Sequence, residues 1–385
     1  MIRVGFILNL NDNWLGGVNY YRNLILAISE MSDVKLTPVI FTGTYINYEL
    51  VKDFPDVEWV KSPLFDDGSI YSKIRRVDEK VLSSNLCLNR LFKKYKIDIL
   101  SHTSEAFPSL QIPMIGWIPD FQHKHLTNFF NDKDIRGRNK SFKRLCNRSQ
   151  GLIVSSYDAK KDLQEFDPDA VSKTHVLQFV VQPLSNGIET SIEELETMYG
   201  FTGKYFYVPN QFWVHKNHKV ILEALNVLKK QGHEVCVVST GNTFDYRNPE
   251  HFVYLKNYIE ENNLSLNFII LGKVPYPHVV TLANNCLAFI NPSFFEGWST
   301  TVEEAKSLGK RIILSDIAVH KEQNPQGGIY FDPQNSGELA NTLWDMWNSK
   351  QNDSYLKEKA SEELKGRKAS FAKCYENIVI KVLKS

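Results

Sequence analysis

Paired cysteines are missing from this chain. Its 385 residues hold five, Cys87, Cys146, Cys236, Cys286 and Cys374, each dozens of residues from the next, with no CxxC and no alternation with histidine. That spacing argues against a disulfide framework and a structural zinc site. It suits a reducing compartment in which each thiol is a small apolar filler. No apolar run approaches the roughly 18 to 20 residues that span a bilayer. The opening MIRVGFILNL carries one early charge and no small-residue cleavage site after it, so it reads as a buried strand and not a signal peptide. Charge of one sign is not in excess either. Forty-five Lys+Arg face 44 Asp+Glu, a net charge of +1, which argues against gripping nucleic acid through bulk charge. GxGxxG, low-complexity tracts and fixed-period repeats are absent too.

What is present is globular: 43% apolar and 23% charged residues, in a length that suggests two domains. Short apolar runs at Val4–Leu8, Val39–Phe41, Ile97–Leu100, Met114–Ile118, Leu152–Ser155 and Val176–Val181 read as strands. Amphipathic stretches fall between several of them, at Val18–Ser29, Val77–Tyr95 and Tyr157–Phe166. Near-continuous apolar strands separated by helices imply a parallel sheet covered on both faces. The pattern restarts at Tyr205–Val208 and runs through His218–Lys230, Val235–Ser239, His251–Asn262, Asn267–Leu271, Pro277–Asn284, Leu287–Ile290, Thr301–Leu308, Arg311–Ser315 and Gly337–Trp347. A polar, acidic stretch holding Pro183, Ser185, Asn186 and Gly187 marks the weakest ground. The expected organisation is an N-terminal domain over 1–183, a linker over 184–203, a C-terminal domain over 204–370 and a final helix over 371–385 that packs back toward the first domain. The fold class is α/β, two Rossmann-like doubly wound parallel-sheet domains facing a cleft. In such sheets the carboxyl ends of strands and the N-termini of helices meet the ligand, and those N-termini favour anions such as phosphate.

Three strand-to-helix turns have suitable chemistry. The first carries Gly16 and Gly17, which permit close backbone approach. The second, Asn210-Gln211-Phe212-Trp213-Val214-His215-Lys216-Asn217-His218, places a lysine just before a helix, where it can meet a diphosphate as a point charge. The third runs Pro292-Ser293-Phe294-Phe295-Glu296-Gly297-Trp298-Ser299-Thr300-Thr301-Val302-Glu303-Glu304-Ala305. There, Thr300 with Glu303, or Thr301 with Glu304, has capping-box spacing. A carboxylate in a first helical turn is favoured by the dipole, which accounts for Glu303 and Glu304 structurally. Glu296 precedes the cap and needs another reason.

The run from Glu296 to Lys306, continuing to Ser315-Asp316-Ile317, resembles the E-x7-E donor-site signature of retaining GT-B glycosyltransferases of family 4. Asn210–His218 is similar to that family's phosphate-lysine loop, and Gly16-Gly17 to its N-terminal glycine loop. The resemblance is specific over 205–333 and looser before 180. It implies that Glu296 contacts the transferred sugar and Glu304 the ribose hydroxyls. Gly297 and the amides and hydroxyls of Ser299, Thr300, Thr301 and Val302 would hold the diphosphate, with the base near Gly272 and Tyr276. Lys216 would neutralise charge on the leaving phosphate. The family's arginine five positions before that lysine is replaced by Gln211, so stabilisation leans on Lys216, His215, helix dipoles or another basic group. The usual glycine and proline after the first glutamate are Ser299 and Thr301. The family's His-Asp pair appears as Pro119-Asp120, with His123 as the displaced equivalent and His125 second.

These features imply a cytoplasmic, metal-independent enzyme. It would move a hexose-type sugar from a nucleotide-diphosphate sugar to a saccharide or lipid-linked saccharide acceptor in surface polysaccharide synthesis, with no nucleic-acid partner. Two rival readings stand beside it: a degenerate nucleotide-sugar-binding subunit, motivated by Gln211 and Pro119, and a glycosidase using Glu296 and Glu304. Asp167-Pro168-Asp169 and Asp66-Asp67-Gly68 read as turns and not metal sites. The basic run Arg136, Arg138, Lys140, Lys143, Arg144 and Arg148 reads as a solvated helix face, with an anionic membrane surface at the inner leaflet or a diphospholipid as its functional alternative.

Overall fold

Strands whose successive residues are all apolar must bury both faces, and the second half of the chain shows how. In β8 (Phe206–Val208), Phe206 and Val208 join one core cluster with Val220, Ile221 and Leu225, while Tyr207 joins another with Leu282, Val302 and Ala305. Val237 and Val238 of β9 (Val237–Thr240) split the same way, as do Ile290 and Phe289 of β11 (Phe289–Asn291). The period of two along each strand therefore sends alternate side chains to two helical layers. With β10 (Phe268–Gly272), β12 (Ile312–Ser315) and β13 (Gly328–Phe331), these strands form a six-stranded sheet of order β10-β9-β8-β11-β12-β13, parallel throughout among the described residues.

The first half repeats the plan. Strands β1 (Ile2–Ile7), β2 (Leu36–Thr42), β3 (Glu58–Lys61), β4 (Ile99–Thr103), β5 (Met114–Ile118), β6 (Gly151–Val154) and β7 (Thr174–Val176) make a parallel seven-stranded sheet of order β3-β2-β1-β4-β5-β6-β7. Both orders reverse after the first strand of the set, which is the doubly wound Rossmann-like topology. The computed structural model describes residues 1–8, 15–81, 84–182, 190–349 and 354–385. The expected glycine turn runs over 11–18, and its residues 11–14, with 183–187 of the expected boundary, lie outside them.

Two compact units result. The first comprises Met1–Phe121, Asp132–Val181 and Lys365–Ser385, the second Gln122–Asn131 and Gln182–Leu364. Within the stretch read as linker, Ile192–Tyr199 is a helix. Ser191 and Glu194 close a full capping box at its start, and Gly200 ends it at φ 69. The single amphipathic stretch expected over Val77–Tyr95 is two helices, Ile70–Val81 and Leu86–Lys94. The final helix is longer than its apolar part, running Ser354–Lys384. Two sheet edges escaped the pattern because they bury little: in β3 only Val60 is buried, and in β13 only Phe331. Cys374 is exposed and so is not the apolar filler expected of it.

Each unit buries a histidine. His102, at φ 55 beside a register shift between β4 and β5, lies between the Tyr20 hydroxyl (2.7 Å from Nε2) and the Ser101 hydroxyl (2.9 Å from Nδ1). His218 in the second unit stacks on Phe212 at 4.2 Å. Burial pushes both imidazoles down to about 3. Each is neutral in the fold and binds a proton in the unfolded chain below pH 6.5, so its contribution is complete above that pH and lost on acidification toward 3. Each of these two histidines is expected to remove about 1.4 kcal/mol per pH unit below pH 6. Thermal midpoints flat from pH 7 to 8 and falling from 6 to 5 would show it.

Candidate functional site

The carboxyl ends of β8 and β11 in the second unit bring the sequence-selected residues together. After β8 the chain makes a tight turn, Val214–Lys216, and Asn217 enters the next helix with left-handed backbone, φ 54. The Asn217 amide donates to the carbonyls of Pro292 (3.1 Å) and Pro333 (2.9 Å), and the Phe294 N–H donates to the His215 carbonyl (2.9 Å). The turn after β8 is thereby fastened to those after β11 and β13.

That fastening sets the central contact. Lys216 Nζ lies 2.6 Å from Glu296 Oε1, with the two side chains 16% and 9% exposed. The Ser293 hydroxyl is 2.7 Å from Glu296 Oε1 and 2.7 Å from Asn291 Oδ1, and the Asn291 amide donates to Ser299 Oγ at 2.6 Å. A continuous polar chain thus links the ammonium to the cap of the Thr300–Leu308 helix. Ser299 itself is that cap, accepting from the Val302 N–H. The expected boxes, Thr300 with Glu303 and Thr301 with Glu304, do not form the cap, because the helix begins one residue earlier. By helix geometry the Thr300 and Thr301 amides have no carbonyl within the helix to bond. They present two donors and the positive dipole end together. Gly297 lies in the intervening turn, and Thr301 Oγ1 reaches Asn210 Oδ1 at 3.1 Å.

Gln323 holds the cap from behind. It accepts from the Ser299 N–H (3.1 Å) and donates to the Ser299 carbonyl (3.0 Å) and to Glu303 Oε1 (3.1 Å). Nothing in its sequence context announces this role. Gln323→Ala removes partners from a buried backbone amide, a buried carbonyl and a buried carboxylate. It is expected to destabilise the second unit by about 2–3 kcal/mol, read by denaturant unfolding.

Sequence reading also missed Gly241, at φ +146 after β9. A Cβ there would lie 2.3 Å from the Asn210 carbonyl oxygen and 2.9 Å from the Gln211 Cα. The Gly241 N–H donates to the Gly272 carbonyl at 2.8 Å, so the turns bearing Gln211 and Gly272 pack through a position that only glycine fits. Gly272 is left-handed, φ +67, and Tyr276 opens the next helix. Glu304 is half-buried in the Thr300–Leu308 helix, and burial foremost, with smaller contributions from Glu304 and Tyr276, pushes the Tyr207 phenol up.

His215 does not replace the arginine missing at Gln211. Burial, then the nearby Lys216 charge, push its imidazole well down, so it is neutral. A cation does approach it. Arg247 lies 3.5 Å from His215 Nδ1, pairs with Asp245 at 3.2 Å, donates to Gln122 Oε1 at 2.9 Å and rests 5.1 Å from the Trp213 ring centre.

The remaining candidates are distributed. His123 is fully buried in the short Gln122–His125 helix, whereas His125 is exposed and stacks on Phe295 at 5.1 Å, next door to Glu296. Both belong to the second unit, while Asp120 belongs to the first, 3.4 Å from Arg138. Gly16 and Gly17 lie in the first turn of the Leu15–Glu30 helix and not in a loop, and nothing lies within 4 Å of a Cβ at Gly16.

Residues 201–363 match the family described as glycosyl transferases group 1. An N,N'-diacetylbacillosaminyl-diphospho-undecaprenol alpha-1,3-N-acetylgalactosaminyltransferase of Campylobacter jejuni is 34% identical over 85 residues. That match spans 20% of this chain and 23% of the relative, less than a quarter of its length. Anabaena HepE, solved in complex with UDP and glucose, aligns over 100% of both chains with TM-score 0.71 at 15% identity. A glycosyltransferase from Rickettsia africae aligns over 100% of this chain and 98% of its own, with TM-score 0.67 at 18% identity. The shared fold is GT-B, two Rossmann-like domains.

Proposed function

We propose that this chain, whose residues 201–363 match the glycosyl transferases group 1 family, is a glycosyltransferase that carries out the retaining transfer of a hexose-type sugar from a nucleotide-diphosphate sugar to a saccharide or lipid-linked saccharide. The observation that carries this reading is the Lys216–Glu296 contact of 2.6 Å beside the capped N-terminus of the Thr300–Leu308 helix. The names of the relatives support the substrate classes: one was solved with UDP and glucose, and another acts on a diphospho-undecaprenol-linked sugar. The setting would be surface polysaccharide synthesis, in the cytoplasm and at the inner face of the membrane.

In this reading the bond from the sugar anomeric carbon to the diphosphate oxygen breaks as negative charge grows on the leaving oxygen. Lys216 and the amides of Thr300 and Thr301 meet that charge, so no divalent metal is required. The acceptor hydroxyl attacks from the same face and passes its proton to the departing phosphate, which retains configuration. Glu296, already oriented by Lys216 and Ser293, binds the sugar; Glu304 binds the ribose; Gly272 and Tyr276 border the base. Asp120, His123 and His125 are assigned to the acceptor. The glycosidase alternative is disfavoured by Lys216: a cation 2.6 Å from Glu296 Oε1 suits a departing phosphate better than a proton-donating acid.

A thermal-shift panel with UDP, GDP, ADP and TDP tests the proposal. One nucleotide at about a hundred times its Kd is expected to stabilise the chain by about 2.7 kcal/mol, a shift of several degrees. Turnover of the matching nucleotide sugar should follow. No shift with any of the four, and hydrolysis of a nucleotide-free sugar substrate, would reject it.

A further inference from the structure

The Ile70–Val81 helix is inside out. Ser72, Arg75 and Asp78 are 2%, 9% and 7% exposed, while Ile70, Tyr71, Ile74 and Val77 are 68%, 54%, 51% and 56% exposed. Its polar side is the anchored one. Arg75 reaches Glu105 at 3.4 Å, Asp78 accepts from the Ser84 hydroxyl and the Cys87 N–H, and the Ser72 hydroxyl donates to the Ser69 carbonyl. A helix fixed through hydrogen bonds, with its branched side chains turned to water, has an apolar face awaiting a cover.

Two more exposed aromatics belong to this neighbourhood. Tyr45 and Tyr48, 85% and 70% exposed, follow Thr44, whose N–H and hydroxyl bind Asp66 at 2.6 and 2.7 Å. The next residue, Asp67, pairs with Arg76 of the helix at 3.1 Å. Lys73 is exposed and pairs with no carboxylate among the described residues. Isoleucine and valine at the centre, tyrosines carrying a hydroxyl at the end of an apolar ring, and cations at the border are the composition of an interfacial helix. Six such side chains fall well short of the roughly 20–30 residues per side of a stable protein interface. The basic helix Asp132–Arg148 suits a membrane less, since Arg136, Arg138 and Lys143 already pair with Asp132, Asp120 and Asp167.

We infer that the outward face of the Ile70–Val81 helix, with Tyr45 and Tyr48, docks the protein on an anionic lipid bilayer, with Lys73 against the phosphates and Ile70, Ile74 and Val77 among the acyl chains. The inference deepens the proposed function by naming the surface that brings the enzyme to a lipid-linked acceptor.

Vesicle flotation tests it. The full chain is expected to float with phosphatidylethanolamine–phosphatidylglycerol vesicles and much less with phosphatidylcholine alone. Ile70→Gln combined with Ile74→Gln should lower binding at least about tenfold, and Lys73→Glu about fivefold or more. Val253→Gln, at an exposed valine of the second unit, should leave flotation unchanged. A wild-type chain that stays with neither vesicle overturns the inference, as does a double variant that floats as well as its parent. So does a dimer in light scattering that the double variant dissociates, since the face would then join two copies. Nucleotide binding in the same samples separates the two claims. Its absence with flotation intact rejects the donor site alone, and the converse rejects the docking face alone.

Discussion

Lys216→Ala is expected to lower turnover of the nucleotide sugar by about 10²–10³-fold, the cost of removing one charge-stabilising donor from a transition state, while nucleotide affinity changes far less. The reason is differential: the lysine meets charge that is larger on the leaving diphosphate than on the bound donor. The variant also strands Glu296, only 9% exposed, without its 2.6 Å partner. A buried carboxylate left unpaired costs stability as well, about 3 kcal/mol. The double variant Lys216→Ala/Glu296→Gln separates the effects, because the neutral amide needs no counter-charge. Its unfolding midpoint should recover while its turnover does not. Full turnover in Lys216→Ala would remove the lysine from the mechanism, whatever its stability.

Tyr375→Ala is expected to cost the first unit about 3–5 kcal/mol, the range for emptying a large buried aromatic site. Tyr375 is fully buried, its ring 5.3 Å from His102 and 6.3 Å from Phe6 of β1. Around it, Glu376 accepts from the Lys35 N–H at 2.6 Å, Lys368 pairs with Glu30, and a Cβ at Gly151 would lie 2.5 Å from Val382. Denaturant unfolding followed in each unit should show the loss in the first. A variant as stable as its parent would mean that the end of the chain contributes little to that core.

The doubly wound sheets were legible because runs such as Tyr205–Val208 and Arg311–Ser315 are too apolar for anything but strands buried on both faces. The donor-side block was legible because Glu296 precedes a Ser/Thr-rich helix start and so has no dipole-based reason to be acidic. Other features were hidden for physical reasons. The Ile70–Val81 helix points its apolar residues outward, so periodicity signals burial on the wrong side. Gln323 and Gly241 act through chain segments distant in sequence, Ser299 for one and Asn210 for the other, and local pattern carries no trace of such contacts. Placing the cap at Thr300 or Thr301 failed because several hydroxyls in a row offer competing starts, and the Asn291 and Gln323 contacts fix Ser299.

Residues 365–385 complete the first unit although the whole second unit is translated before them. On a ribosome the earlier sheet therefore emerges with Phe6, His102 and Gly151 lacking the helix that shields them, while residues 182–364 can already fold. The N-terminal half waits longest for its last wall, which makes that interval the one in which a nascent chain would need a chaperone.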